Sequence, residues 1–228
     1  SVYLGRMRGP AGFGKTVALK RLHTQYARDG ELVKMFHDEA RLTSGLSHPN
    51  IVMTLDVLEE EDSLYLVMEY VHGASLTQIV KRTGPDQKPV PLRITTGIIA
   101  SMLDGLHAAH EASDENGTPL GVVHRDVSPQ NVLVSFQGVA KIAVFGIAKA
   151  AGRASSTSDG SAKGKVSYMA PEQVLGAPIT AQTDVYAAGI VLWEALTGQR
   201  LIDGSSTAES VRAVLQLVIV PPSSIVPE

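Results

Sequence analysis

Around Tyr70 to Gly73 this chain shifts from a mostly β to a mostly helical make-up, and that shift limits the architectures open to it. Before it, apolar residues come in short alternating runs. "SVYLGRM" puts Val2 and Leu4 on one face, "GPAGFGK" is a glycine-rich turn, and "TVALKRL" reads as a returning strand, so the three predict a hairpin. Leu32, Phe36, Ala40 and Leu46 then follow a helical stripe. "HPN" breaks it, and Asn50 to Val71 reads as two strands about an acidic turn, Glu59 to Ser63. After Gly73 the period is helical. Ser75 to Thr83 is short and amphipathic. Leu92 to His110 is a long helix expected to bury Ile94, Ile98, Ile99, Met102, Leu103 and Leu106. "TDVYAAGIVLWEALTG" is an apolar helix with Gly198 as its terminating glycine. Between these helices "VVHRDVSPQNVLV" predicts a loop flanked by short strands, and "AKIAVFG" a further strand. Arg153 to Gly164, rich in Ser and Gly, is expected to be mobile. The expected fold is α+β and two-lobed: a small antiparallel β lobe with one helix over residues 1–70, and a larger, mainly α lobe over 71–228.

Composition narrows the function classes. With 228 residues the chain can bury a full core, and 44% hydrophobic content with mixed charge describes a globular domain. A net charge of −3 gives no field for nucleic acid or an anionic membrane, so neither is expected as a partner. Cysteine is absent, which removes disulfides and thiolate metal sites. No apolar run approaches the roughly 18 residues of a membrane span, and the first residues lack a signal-peptide pattern. The expectation is a cytoplasmic segment without membrane contact, which is compatible with a membrane anchor beyond Glu228.

Gly9 to Thr16, "GPAGFGKT", matches the phosphate-cradling pattern G-x-x-x-x-G-K-[ST] residue for residue. Its chemistry needs a buried strand entering the first glycine and a helix opening at Lys15–Thr16. "GRMR" before Gly9 is too polar for a buried strand end, and "IVMTLD", ending at Asp56, reads better as the strand after "HPN". A P-loop NTPase is therefore the remote alternative.

The motifs "VALK", "HPNIV", "YLVMEYV", "HRDVSPQN", "KIAVFG" and "YMAPEQ", in that order, resemble those of the bacterial eukaryotic-like, Hanks-type serine/threonine protein kinases. The resemblance runs through essentially the whole chain. It implies a two-lobed kinase fold, ATP and Mg²⁺ as cofactors, and transfer of the γ-phosphate of ATP to a protein serine or threonine. Residue by residue, it implies that Lys20 holds the α- and β-phosphates and that Glu39 pairs with Lys20. Asp126 accepts the substrate hydroxyl proton, and Asn131 is a Mg²⁺ ligand. Val2 and Ala18 above and Leu133 below would sandwich adenine, Met68 would be the gatekeeper, and the backbone of Glu69 and Val71 would bond the purine edge. His124 would pack rather than act as a base. Asp184 would bond the catalytic-loop backbone, and Glu172 would pair with an arginine not identifiable in this sequence. Arg125 would grip a phosphate on the activation segment, where Ser155, Ser156, Thr157, Ser158 and Ser161 are candidate autophosphorylation sites.

The sequence departs from the family pattern in four places. The Mg²⁺-binding aspartate of D-F-G is Val144, which offers no oxygen; a loss of ~4 kcal/mol of transition-state stabilisation would slow transfer about a thousandfold. The Gly-rich loop would lie before Val2, and the family continues with further helices after "VIVPPSSIVPE"; the expectation is a domain truncated at both ends. The lysine usually found two residues after the catalytic aspartate is Ser128, while Lys165 stands where threonine is usual. Lys165 is expected to reach back towards Asp126 and supply the missing ammonium. Val144 also makes a pseudokinase, a nucleotide-binding or scaffolding module, the main alternative to an active kinase.

Overall fold

The computed structural model describes residues 1–21, 30–60, 63–82, 90–143, 166–204 and 206–226, apart from the side chains of Glu31, Leu32, Met35 and Glu39. The small lobe holds strands β1 (Val2–Arg8) and β2 (Gly14–Arg21), helix α1 (Gly30–Ser44), and strands β3 (Thr54–Glu60) and β4 (Ser63–Glu69). They form one antiparallel sheet in the order β1-β2-β4-β3. The predicted hairpin is present. Its turn is a 3₁₀ segment, Pro10–Gly12, closed by Gly9 N–H donating to the Phe13 carbonyl at 2.9 Å.

This hairpin overturns the P-loop alternative. Lys15 lies opposite Met7 and Thr16 opposite Arg6, both inside β2, so no helix opens where a phosphate would need its N-terminal N–H groups.

Register fixes which residues share a face, because side chains alternate along a strand and opposite partners point the same way. Val2 is opposite Lys20 and Lys20 opposite Leu66; Leu4 is opposite Ala18 and Ala18 opposite Met68. On that face Leu66 and Met68 pack with Phe36 and Ala40 of α1 and with Val52 and Ala143. Phe36 and Ala40, four apart, are the buried stripe that the sequence predicts for α1.

The large lobe follows as β5 (Gly73–Ser75), α2 (Leu76–Lys81), α3 (Leu92–His110), β6 (Val132–Ser135), β7 (Ala140–Ile142), α4 (Pro171–Leu175), α5 (Ala181–Thr197) and α6 (Thr207–Leu215). Strands β5, β6 and β7 make a second sheet in that order. Ser75 starts α2 with a capping box: its hydroxyl accepts from Gln78 N–H at 3.3 Å, and the Gln78 side chain accepts from Ser75 N–H at 2.9 Å. The core is the α3–α5 contact, with Met102, Leu106 and Ala109 against Ala187, Ala188 and Val191. Each large side chain fully buried there contributes ~1.5–3 kcal/mol. Gly198, at φ 69°, ends α5 in the left-handed region as predicted.

Two expectations for α3 need correction. Ile94 is 53% and Leu103 39% exposed. At about 100° per residue they fall at opposite edges of the arc centred on Thr95, Met102 and Ala109, each roughly 90° from its middle. The loop before β6 is also flanked by a strand only on its far side; Val122 and Val123 are buried and belong to no strand.

The "HPN" segment and β7 join the lobes. Val52 N–H donates to the Ile142 carbonyl at 2.9 Å, Ile142 N–H to the Asn50 carbonyl at 2.8 Å, and Asn50 Nδ2 to the Ala140 carbonyl at 2.8 Å. Lys141 Nζ adds an ion pair to Glu69 Oε1 at 2.7 Å. Among the described residues no helix is long and apolar enough to cross a membrane.

Candidate active site

The loop from Val122 to Asn131 is organised by Asp184, in the first turn of α5 and 1% exposed. A carboxylate so buried is tolerated only among donors. Three arrive: His124 N–H at 2.7 Å, Arg125 N–H at 2.8 Å, and His110 Nε2–H from the end of α3 at 2.8 Å. The positive end of α5 adds to the stabilisation. Two of those donors are consecutive backbone groups, so they fix the orientation of a peptide plane. Arg125 is thereby held at φ 64°, a conformation that costs a residue with a Cβ ~1–2 kcal/mol. Gln173, in α4, grips the other side: its Nε2 donates to the Arg125 carbonyl at 3.0 Å while its Oε1 accepts from Ala170 N–H at 2.9 Å.

The chemistry-bearing end of the loop is braced in turn. His124 is fully buried; its Nδ1 accepts from Asp126 N–H at 3.2 Å and its Nε2–H donates to the Ala143 carbonyl at 3.2 Å. One accepting and one donating nitrogen is the pattern of a neutral imidazole acting as a strut, the packing role expected from sequence. Asn131 Nδ2 donates to the Asp126 carbonyl at 2.7 Å, and Ala143 N–H donates to the Asn131 carbonyl at 2.8 Å. Asp126 and Asn131 are both half-buried, at the rim of the large lobe. Ser128, where the family usually has lysine, is buried.

Leu133, two residues after Asn131, packs against the cluster under the small-lobe sheet. Ala18, Val71 and Leu133 are partly buried against the cluster containing Met68, so four of the expected adenine-slot residues come together. Val2 lies on the same sheet face opposite Lys20 and is 63% exposed. The Glu69 N–H donates to the Met53 carbonyl at 2.9 Å, and the Glu69 carboxylate accepts from Met53 N–H at 2.9 Å and from Lys141. Its N–H therefore belongs to the fold rather than to a purine.

Several expected residues lie outside the described set: the Glu39 side chain, Val144, Lys165, and Ser155, Ser156, Thr157, Ser158 and Ser161. Among the described residues, no group of three or more His, Asp or Glu side chains could hold a metal. Asn131 fits a hard cation in part: its amide nitrogen is committed to the Asp126 carbonyl, and its side-chain oxygen is the atom that could hold one. Ala18, Met68, Val71 and Leu133 form an apolar cluster of the kind that could pack against a flat purine.

Other contacts were not foreseen. Glu172 accepts from Thr183 Oγ1 at 2.6 Å, a partner within the described residues where an arginine was expected. Tyr168 donates its hydroxyl to Glu194 Oε2 at 2.6 Å and accepts from Arg200 Nη1 at 3.0 Å. Burial, reinforced by the Glu194 carboxylate, drives the Tyr168 phenol well above its ordinary range; burial also raises the Glu194 carboxyl. His110 and Gln173 escaped the sequence reading because their partners are distant in the chain. The only signal was position: Gln173 follows "APE" directly, and His110 closes a helix just before the loop.

Comparison with known proteins agrees with this geometry. A family model described as the protein kinase domain matches residues 6–223. The chain is 38% identical over 227 residues to the tyrosine-protein kinase MasK of Myxococcus xanthus, covering 100% of this chain and 35% of that protein. It is 38% identical over 202 residues to the serine/threonine-protein kinase PrkC of Bacillus subtilis, covering 89% and 29% respectively. The chain thus spans about a third of the length of these curated relatives. The crystal structure of the Mycobacterium tuberculosis PknI kinase domain matches with a TM-score of 0.71 at 26% identity, over 98% of this chain and 76% of that one. With the sequence match and the fold in agreement over the same span, the chain belongs to the protein kinase family, as a Hanks-type domain of the kind found in bacterial serine/threonine kinases.

Proposed function

We propose that this domain transfers the γ-phosphate of ATP to serine or threonine hydroxyls of proteins, at a rate reduced by Val144. The observation that carries the reading is the strained, doubly gripped loop presenting Asp126 and Asn131. Phosphoryl transfer is mostly positioning and charge stabilisation, and a braced loop is what positioning requires. Asp126 takes the proton of the attacking hydroxyl as its oxygen bonds the γ-phosphorus, and the bond to the bridging oxygen of ADP breaks. Lys20 orients the α- and β-phosphates, and Glu39 would be the carboxylate that pairs with it. Adenine lies among Val2, Ala18, Met68 and Leu133, with its edge on the Glu69 carbonyl and the Val71 backbone. The family uses Mg²⁺; Asn131 would hold it through its side-chain oxygen, and the ion would supply positive charge against the phosphates. Lys165 would reach back towards Asp126 and add a cation.

The Arg125 Nε is buried and has no hydrogen-bond partner among the described residues, which supports a phosphate-gripping role for it. Serine/threonine specificity is favoured by "HRDVSPQN" and by relatives such as PrkC, although MasK carries a tyrosine-kinase name.

The test is incubation with radiolabelled ATP and Mg²⁺, followed by acid hydrolysis and separation of phosphoamino acids. Phosphoserine or phosphothreonine is expected; phosphotyrosine alone would overturn the specificity. The pseudokinase reading rests on Val144, and Val144→Asp separates the two. A gain of roughly a thousandfold identifies a kinase restrained by one residue. No incorporation in either form, together with a metal-independent thermal shift by ATP, identifies a binding module.

A further inference from the structure

Two stretches of chain join the lobes. One is Asn50 to Met53, between α1 and β3, where Ile51 forms a bridge to Ile142 of β7. The other runs from Glu69, the last residue of β4, to Gly73, the first of β5. Lobes joined by so little chain rock against each other unless something ties the two stretches together.

Lys141, on β7 of the large lobe, touches both stretches with one ammonium. Its Nζ donates to the Glu69 carboxylate at 2.7 Å and to the Ile51 carbonyl at 3.4 Å. An ammonium carries three donors, so it can serve acceptors on separate segments. Glu69 is also held from the small-lobe side: the same Oε1 accepts from Met53 N–H at 2.9 Å. Both stretches and β7 therefore meet at one carboxylate oxygen. The Lys141 and Glu69 side chains are 19% and 23% exposed, so salt screens this pair less than one on an open surface. The backbone bonds of β7 to Asn50 and Val52 do not reach Glu69, which leaves the charge pair to make that connection.

The position bears on the nucleotide. Lys141 lies opposite Leu133 in the β6–β7 ladder, and opposite residues share a face. Leu133 is the expected floor under adenine, and Glu69 stands at its expected edge. The ion pair thus ties the strand pair that carries the floor to the strand that carries the edge.

We propose that the Glu69–Lys141 pair is a latch that fixes the angle between the lobes, and that Lys141 is thereby a positioning residue for the nucleotide. The second part rests on the reading of the domain as an ATP-dependent kinase; the first does not.

The chain has no cysteine, so two introduced ones can carry spin labels alone. Thr16→Cys on β2 and Asp104→Cys on α3 are exposed sites on different lobes. The distance distribution between the labels is expected to be narrow. It should broaden with Lys141→Met, which keeps the side chain's length and removes its charge. Glu69→Gln, whose amide oxygen can still accept from Met53 N–H, should broaden it equally, and the double variant no further. ATP affinity by calorimetry should fall roughly fivefold with Lys141→Met, the upper end for a partly exposed ion pair, and the difference should shrink in high salt. KM for ATP should rise with kcat little changed, the split left by a residue that sets binding rather than chemistry. A lower melting temperature with an unchanged distribution makes the pair merely structural and overturns the latch, as do additive effects of the two substitutions. Broadening with unchanged ATP affinity overturns the positioning role. Broadening with no ATP binding even by the parent chain leaves the latch standing and sinks the nucleotide reading.

Discussion

At the scale of single residues, Asp184 and Tyr168 hold the large lobe's polar interior. Asp184→Asn keeps the shape but removes the charge and turns a donor towards backbone N–H groups. It is expected to cost about 3 kcal/mol in urea unfolding, and to lower transfer further by loosening the loop. Tyr168→Phe leaves the buried Glu194 Oε2 without its donor and is expected to cost ~1–3 kcal/mol, with a definite pH dependence. The Glu194 carboxyl is raised by burial against the lowering influences of Tyr168, Leu201 and Arg200. A raised acid leaves stability intact below its unfolded pKa and erodes it as pH rises towards the folded one. Removing the Tyr168 hydroxyl raises the folded value further. The penalty of the substitution should therefore be small near pH 4 and grow above the ordinary carboxylate range; a penalty larger at acid pH would contradict the assignment. The bonds of Asp184 to the loop backbone were legible in the sequence because the residue stands in a motif with fixed neighbours. Arg200 and Gln173 were not, since nothing local in "TGQRL" or "APEQ" says which distant carbonyl or hydroxyl they meet.

At the scale of elements, α3 contains two glycines whose substitution should have opposite signs. Alanine in a helix interior is normally favoured over glycine by ~1 kcal/mol. A Cβ on Gly97 meets nothing within 4 Å, so Gly97→Ala should stabilise by up to that amount. A Cβ on Gly105 would lie 2.6 Å from the Asn50 carbonyl oxygen, which also accepts from Ile142 N–H. Backbone cannot swing aside as a side chain can, so overpacking of roughly 1–3 kcal/mol outweighs the propensity gain. Gly105→Ala should lower the melting temperature and slacken the link between the "HPN" segment and β7, read as faster hydrogen exchange at Ile142. The helix itself was plain from its period, and so was most of its buried face. Ile94 and Leu103 were misassigned because apolar identity does not separate the middle of an arc from its edges. The small sheet of β5, β6 and β7 was only partly legible, since strands of three or four residues carry too little alternation to announce their partners.

At the scale of the whole molecule, the proposed function depends on two lobes meeting at one nucleotide, and that dependence separates binding from chemistry. The small-lobe face carries Ala18, Lys20 and Met68, whereas the large lobe carries Asp126 and Asn131. The sequence reading set Lys20 above Lys15 as the phosphate-binding lysine, and the strand register separates the two in space: Lys15 sits beside the hairpin turn opposite Met7, and Lys20 shares the face that packs on α1. A ligand at about a hundred times its Kd stabilises the folded state by ~2.7 kcal/mol. Lys15→Ala should leave the ATP-induced thermal shift unchanged. Lys20→Ala, by removing a charge from the phosphates, should weaken binding at least about tenfold and so take ~1.4 kcal/mol from that stabilisation. Asp126→Asn should keep the shift, because its carboxylate acts on the substrate hydroxyl, while phosphate incorporation falls by roughly a hundredfold or more. A shift lost with Lys15 and kept with Lys20 would place the nucleotide at the hairpin turn instead, away from the cleft between the lobes, and the catalytic loop would then have no phosphate to act upon.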